Sequence, residues 1–185
     1  DTREDGCHLT PDGKRKLGQL VKMCQALFDL STFFGIPMTS GKDSMKNDFR
    51  HGSTKISVPP TLLFSMAARI DDVRNSVTTE FKRAGDLIYL IGETFDETGG
   101  SEFTSLLGLR GGKIPQVRME PAKERYLKCG KAHDQKLFES CHDCSDGGVG
   151  VALAESAFGG NLGCTIDIGK LNMPLPAMLF SESHS

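Results

Sequence analysis

The chain has 185 residues, with 22 Lys plus Arg against 24 Asp plus Glu and a formal net charge of −2. That balance excludes a polyanion binder held by bulk charge, and with no Trp and 7% aromatics there is no base-stacking platform, so no nucleic-acid partner is expected. No apolar run approaches the about 18 residues that a membrane span needs, so no membrane partner is expected either.

Leu17, Leu20, Val21, Cys24, Leu27 and Phe28 recur at three and four spacing, which predicts an amphipathic helix over 15–34. Pro11-Asp12-Gly13 makes a turn before it and Gly35 a stop after it. A short apolar piece, 36–39, leads into the polar loop Ser40-Gly41-Lys42-Asp43-Ser44. Residues 55–58 read as a strand closed by Pro59-Pro60, and 61–70 as a longer strand closed by Asp71-Asp72. The polar stretch 78–85 marks a boundary. Beyond it, 87–91 is a continuous apolar run, the pattern of a buried strand. Residues 93–100, ETFDETGG, read as a solvated loop rather than a metal site, and Ser101 can cap a helix over 101–109. Helices are expected over 120–140, solvent-facing with Pro121 in its first turn, and over 149–158, ended by Gly159-Gly160. Residues 162–168 read as a strand and 176–180 as the start of another. The fold class is therefore α/β or α+β, with part of one domain over 1–84 and most of a second over 85–185.

The start is charged, lacks Met and has no signal-peptide core, and the end follows directly on an apolar run. Both are read as the bounds of a segment from a longer polypeptide. Six cysteines in a chain of this size and ordinary composition do not read as a disulfide-stapled mini-domain, and the compartment is read as reducing, hence the cytoplasm.

Two motifs carry chemistry. Ser40-Gly41-Lys42-Asp43-Ser44 joins a flexible turn to a cation, a carboxylate and two hydroxyls, the mix that phosphate and Mg²⁺ call for. It is not a P-loop, because Asp43 stands where Ser or Thr is required and strands follow it. A polar turn shaped by Asp43 is the plain alternative. Ser145-Asp146-Gly147-Gly148 lies just before a helix, where free backbone N–H groups and the dipole favour anions. Here the plain alternative is an N-cap by Ser145 or Asp146. Asp143, two residues before Ser145, is placed to hold Mg²⁺ against a bound phosphate. Cys141-His142-Asp143-Cys144 offers no second ligand pair for zinc and reads as two site-wall or core thiols. The five histidines are scattered, and only His184, within Ser181-Glu182-Ser183-His184, stands near another motif.

In this order, GIPMTSGKDSMKND, ISVPPTLLFSMAARIDDV, LIYLIGETFDETGGSEF, HDCSDGGVGVALAESAFGGNLG and LFSES closely resemble the phosphoribosylformylglycinamidine synthases of purine biosynthesis, in the PurM/PurL superfamily. The resemblance runs from about residue 10 to the end. It implies part of a PurM N-like ATP-binding domain followed by a PurM C-like mixed-sheet domain, from the second half of a duplicated synthetase. It further implies an ATP-dependent C–N ligase that joins formylglycinamide ribonucleotide to ammonia, with ATP and Mg²⁺ as cofactors. The implied partners are the rest of the synthetase, including its first half, and a glutaminase domain or subunit that supplies the ammonia.

Carried over by position, Gly41 and Lys42 would contact the nucleotide, Lys42 as a cation where some members have Asn. Asp43 would hold Mg²⁺ and Ser44 would reach the substrate. Asp143 would hold Mg²⁺ and Ser145 would contact nucleotide at the pseudo-symmetric second site. No catalytic residue carries over, because the glutaminase Cys, His and Glu and the first half's His have no counterpart here. The chain alone is expected to be inactive. Two alternatives stand beside this reading. One is a non-catalytic module that holds a structural nucleotide and packs on a partner. The other is an ATP pyrophosphatase, whose SGGxDS loop is one Gly longer and opens a helix.

Overall fold

A computed structural model describes residues 11–42, 48–169 and 172–183. The chain divides into two compact units, Asp1–Ala68 and Arg69–Ser185. In the first, helix α1 spans Pro11–Phe34, starting four residues before the expected helix and ending on the expected side of Gly35. Its apolar stripe is only partly covered: Leu20 and Leu27 are half-buried, whereas Phe28 is 64% exposed. A hairpin follows, β1 (Asp48–His51) paired antiparallel with β2 (Thr54–Ser57), with Phe49 opposite Ile56. Its two-residue turn has Gly52 at φ +56° while Ser53 stays at negative φ, the signature of a type II′ turn that glycine favours. Lys55 Nζ lies 2.9 Å from the Asp48 carboxylate across the pair.

The second unit holds, among its described residues, a short 3-10 helix (Val73–Asn75) and four α-helices: α2 (Glu102–Leu106), α3 (Met119–Asp134), α4 (Gly148–Gly160) and α5 (Leu175–Phe180). Ser101 caps α2 as expected, accepting from the Thr104 N–H. Helix α3 stops six residues before the expected end. Lys136 turns left-handed at φ +56°, and the Leu137 N–H closes the helix on the Ala132 carbonyl, so no glycine announced the stop. Helices α4 and α5 pack on each other through small residues, with Ala152 and Ala177 buried. A Cβ built on Gly148 would lie 2.4 Å from the Ser181 carbonyl oxygen, so only glycine admits this approach. Phe180 stacks on Phe103 with ring centroids 5.1 Å apart, which ties α5 to α2.

The mixed architecture, helices with a small antiparallel sheet, agrees with the α+β expectation. Four strand expectations are corrected. Residues 176–180 are helical, because Pro174 and Pro176 preset φ at a helix start rather than in a ladder. Residues 61–70, 87–91 and 162–168 are not strands, and among the described residues their one backbone hydrogen bond outside regular elements is that of the Leu162 N–H to the Ala157 carbonyl, which closes α4. An apolar run signals burial, and a strand also needs a partner for its N–H and C=O groups. Leu63 and Leu87 are 89% and 77% exposed.

Candidate functional site

The turn that opens α4 collects the motif residues of the second unit. Ser145 Oγ donates to Asp143 Oδ2 at 2.6 Å, so the two residues predicted to serve one site do meet. That hydrogen bond, then one from the backbone, holds the Asp143 carboxyl below the usual carboxylate range. The carboxylate is thus ionised at neutral pH and 75% exposed to an incoming cation. His142 steadies this residue from behind. Its Nδ1 lies 2.7 Å from the Asp143 carbonyl oxygen and its Nε2 3.0 Å from Glu155 Oε2 on α4.

The capping expectation is corrected. Neither Ser145 nor Asp146 caps α4; Gly147 is the N-cap, left-handed at φ +77°, with no side-chain cap of its own. The supply of free N–H groups at the helix start is also smaller than expected. The Gly147 N–H donates to Glu182 Oε1 at 2.8 Å and the Gly148 N–H to the Ser145 carbonyl at 3.0 Å. The next two amides, of Val149 and Gly150, have no acceptor among the described residues. They lie at the end of a helix where N–H groups point outward.

Cys141 and Cys144 are free thiols. Desolvation first, then the negative Asp143, pushes the Cys144 thiol up, the opposite of what an activated redox thiol requires. Among the described residues no group of three or more His, Cys, Asp or Glu could hold a metal ion. Two shallow hollows, about 360 and 370 Å³, lie beside Phe95, Arg118 and Arg125 and beside Ser101, Thr104 and Arg110, away from the Asp143 turn.

The 93–100 loop is a further correction. Glu97 is not solvated: it is 5% exposed and pairs with Arg118, Nη2 to Oε1 at 2.6 Å. It also accepts from the Gln116 N–H at 3.2 Å, and Arg118 sits 3.5 Å over the Phe95 ring. The Arg118 hydrogen bond is the main cause that holds the Glu97 carboxyl low, against desolvation. Sequence reasoning missed this pair and missed the part Glu182 plays. The one available signal was the LFSES motif itself.

In the first unit, Gly41 and Lys42 are exposed residues of irregular backbone. Asp43 and Ser44 lie outside the described residues, as does His184.

Residues 83–185 match the family model described as AIR synthase related protein, C-terminal domain. Over 174 residues the chain is 36% identical to the phosphoribosylformylglycinamidine synthase subunit PurL of Thermoplasma acidophilum, covering 93% of this chain and 22% of that protein. It is 38% identical over 178 residues to the PurL subunit of Thermobifida fusca, covering 94% of this chain and 22% of that one. The chain therefore spans about a fifth of the length of these curated relatives. No solved structure matches it. With more than half of its residues in the match, and with the motif residues on the turn that this domain supplies, the chain belongs to the AIR synthase related protein family and carries that family's C-terminal domain.

Proposed function

We propose that the chain is part of a phosphoribosylformylglycinamidine synthase, and that the turn from Asp143 into α4 receives nucleotide phosphate with Mg²⁺. The observation that carries the reading is the Asp143–Ser145 pair beside two acceptor-free amides at the start of α4. Mg²⁺ is commonly held by one or two carboxylates, with phosphate oxygens and water completing its shell, and Asp143 fits that pattern. When bound, the ion neutralises phosphate charge. Ser145 donates its one hydroxyl hydrogen to the Asp143 carboxylate and keeps its oxygen to accept from a donor group of the nucleotide, while the Val149 and Gly150 amides donate to anionic oxygens. On the first unit, Gly41 and Lys42 contact nucleotide, Asp43 holds Mg²⁺ and Ser44 meets the substrate. The family match that begins at residue 83 supports a C-like domain from about residue 85, although the compact units divide at 68/69; the part before it is proposed to be PurM N-like.

The reaction proposed for the whole protein is ATP-dependent conversion of formylglycinamide ribonucleotide and glutamine-derived ammonia to the amidine. Its catalytic groups come from the rest of the synthetase, and its ammonia from a glutaminase domain or subunit. The names of the relatives support this reading. No described helix is long and apolar enough to cross a membrane, which accords with the proposed cytoplasmic location. The second reading, a non-catalytic module that holds a structural nucleotide and packs on a partner, draws support from the exposed apolar run at 87–91.

Calorimetric titration of the chain with Mg-ADP tests the site. The expected result is saturable binding that Ser145→Ala weakens at least about tenfold. A parent chain that does not bind Mg-ADP overturns the reading. In the full-length synthase, Asp143→Ala separates the two readings: loss of turnover marks a catalytic nucleotide, whereas loss of stability with turnover kept marks a structural one.

A further inference from the structure

We propose that Glu182 is a positioning residue that caps the Asp143 turn from a distance and so leaves Ser145 free for its ligand role. One carboxylate oxygen, Oε1, accepts from the Gly147 N–H and from the Glu102 N–H, both at 2.8 Å. It therefore joins the start of α4 to the start of α2. Gly147 is left-handed and has no side chain with which to cap α4, and its own N–H finds its acceptor in Glu182; without Glu182 that amide would turn to water or to a nearby hydroxyl or carboxylate. Ser145 and Asp143 are the residues at hand. With Glu182 in place, Ser145 Oγ donates to Asp143 and its lone pairs are not taken by the Gly147 amide.

The neighbours of Glu182 hold it in register. Ser181 Oγ donates to the Glu97 carbonyl at 3.2 Å, and Ser183 Oγ accepts from the Phe95 N–H at 3.1 Å. The two hydroxyls lie 2.7 Å apart. Residues 181–183 thus fasten to 95–97 through alternate side chains while Glu182 reaches across to α4 and α2. The Gly148 Cβ position, against the Ser181 carbonyl, fixes the α4 turn to the same segment.

The inference rests on the nucleotide reading for its ligand, but the clasp is tested without it. Glu182→Gln keeps an oxygen at the same reach and removes the charge. Glu182→Asp keeps the charge and shortens the reach by one carbon–carbon bond, about 1.5 Å. Amide exchange of Gly147 and Glu102, read by NMR on the ligand-free chain, is expected to stay at the parent rate in Glu182→Gln and to rise about tenfold in Glu182→Asp. Mg-ADP affinity is expected to follow: equal or tighter in Glu182→Gln, about tenfold weaker in Glu182→Asp. The reverse order, with Asp tolerated and Gln not, overturns the clasp in favour of a charge role. Unchanged exchange in Glu182→Asp overturns it as well. If the parent does not bind Mg-ADP, the nucleotide reading falls, and the exchange rates alone still decide for or against the clasp.

Discussion

Glu97 shows what a single residue contributes here. Its carboxylate is buried, yet it stays ionised because Arg118 donates to it from two nitrogens and Gln116 adds a backbone N–H. Removing one partner of such a pair leaves the other charge without its counter-ion. Glu97→Ala is therefore expected to cost about 2 kcal/mol in urea unfolding, less than a fully dry pair because Arg118 is partly exposed. The pH dependence has a definite sign. The folded carboxyl titrates below its ordinary value, so this stabilisation is complete above the ordinary glutamate range and is lost as pH falls through the folded pKa. Unfolding followed from neutral to acid pH should show a loss in the parent that Glu97→Gln lacks. Equal acid sensitivity in the two proteins would refute the assignment. Nothing around Glu97 in the sequence distinguishes it from Glu93 or Asp96, and its partner comes 21 residues later.

At the scale of elements, the long helices were legible and so was the strand at 55–58, found as β2, whereas the other strand readings failed. The three-and-four spacing over 15–34 and the Gly-bounded run over 149–158 carry their structure within themselves, since a helix closes its own hydrogen bonds. The runs at 61–70, 87–91 and 162–168 carry only an apolar composition, and their pairing depends on other backbone. Gly159-Gly160 do not end α4 as expected, since the helix runs through both and closes at left-handed Asn161; the reason for the α4 glycines is close approach. The Gly160 Cβ position falls 2.2 Å from the Phe81 carbonyl oxygen, where the Phe81 N–H also donates to the Ser156 carbonyl. At the other end, Gly148 combines φ +66° with the 2.4 Å approach to Ser181. Gly148→Ala is expected to cost about 3 kcal/mol, from backbone strain and from pushing α5 away. Gly150→Ala, whose Cβ would meet Leu179 at 3.1 Å with no positive φ, should cost about 1 kcal/mol. Urea midpoints in that order support the packing of α4 on the 179–181 segment, and the opposite order would remove it. The Asp143–Ser145 pairing was legible from spacing, because alternate residues on an extended segment share a face. The Glu182 cap was not, because 35 residues separate donor and acceptor.

On the scale of the whole molecule, the apolar surface sets the last prediction. Leu63 and Met66 in the first unit, and Leu87 and Tyr89 in the second, are well exposed on irregular segments whose backbone pairs with no strand among the described residues. Such segments combine two driving forces for association, apolar burial and ladder formation. The chain is therefore expected to self-associate in sedimentation equilibrium, with an apparent mass that rises above 20.1 kDa as concentration increases. Leu63→Lys and Leu87→Lys should each lower the apparent mass at a given concentration, because a charge on the run opposes both burial and edge pairing. The same surface bears on activity. On the proposed reading, in which other parts of a synthetase cover these runs and carry the catalytic groups, the chain alone should form no amidine from substrate, ATP and ammonia. A chain that stays monomeric at every concentration would remove the argument from surface. Amidine formation by that monomer would remove the proposal that catalysis needs the remainder of the protein.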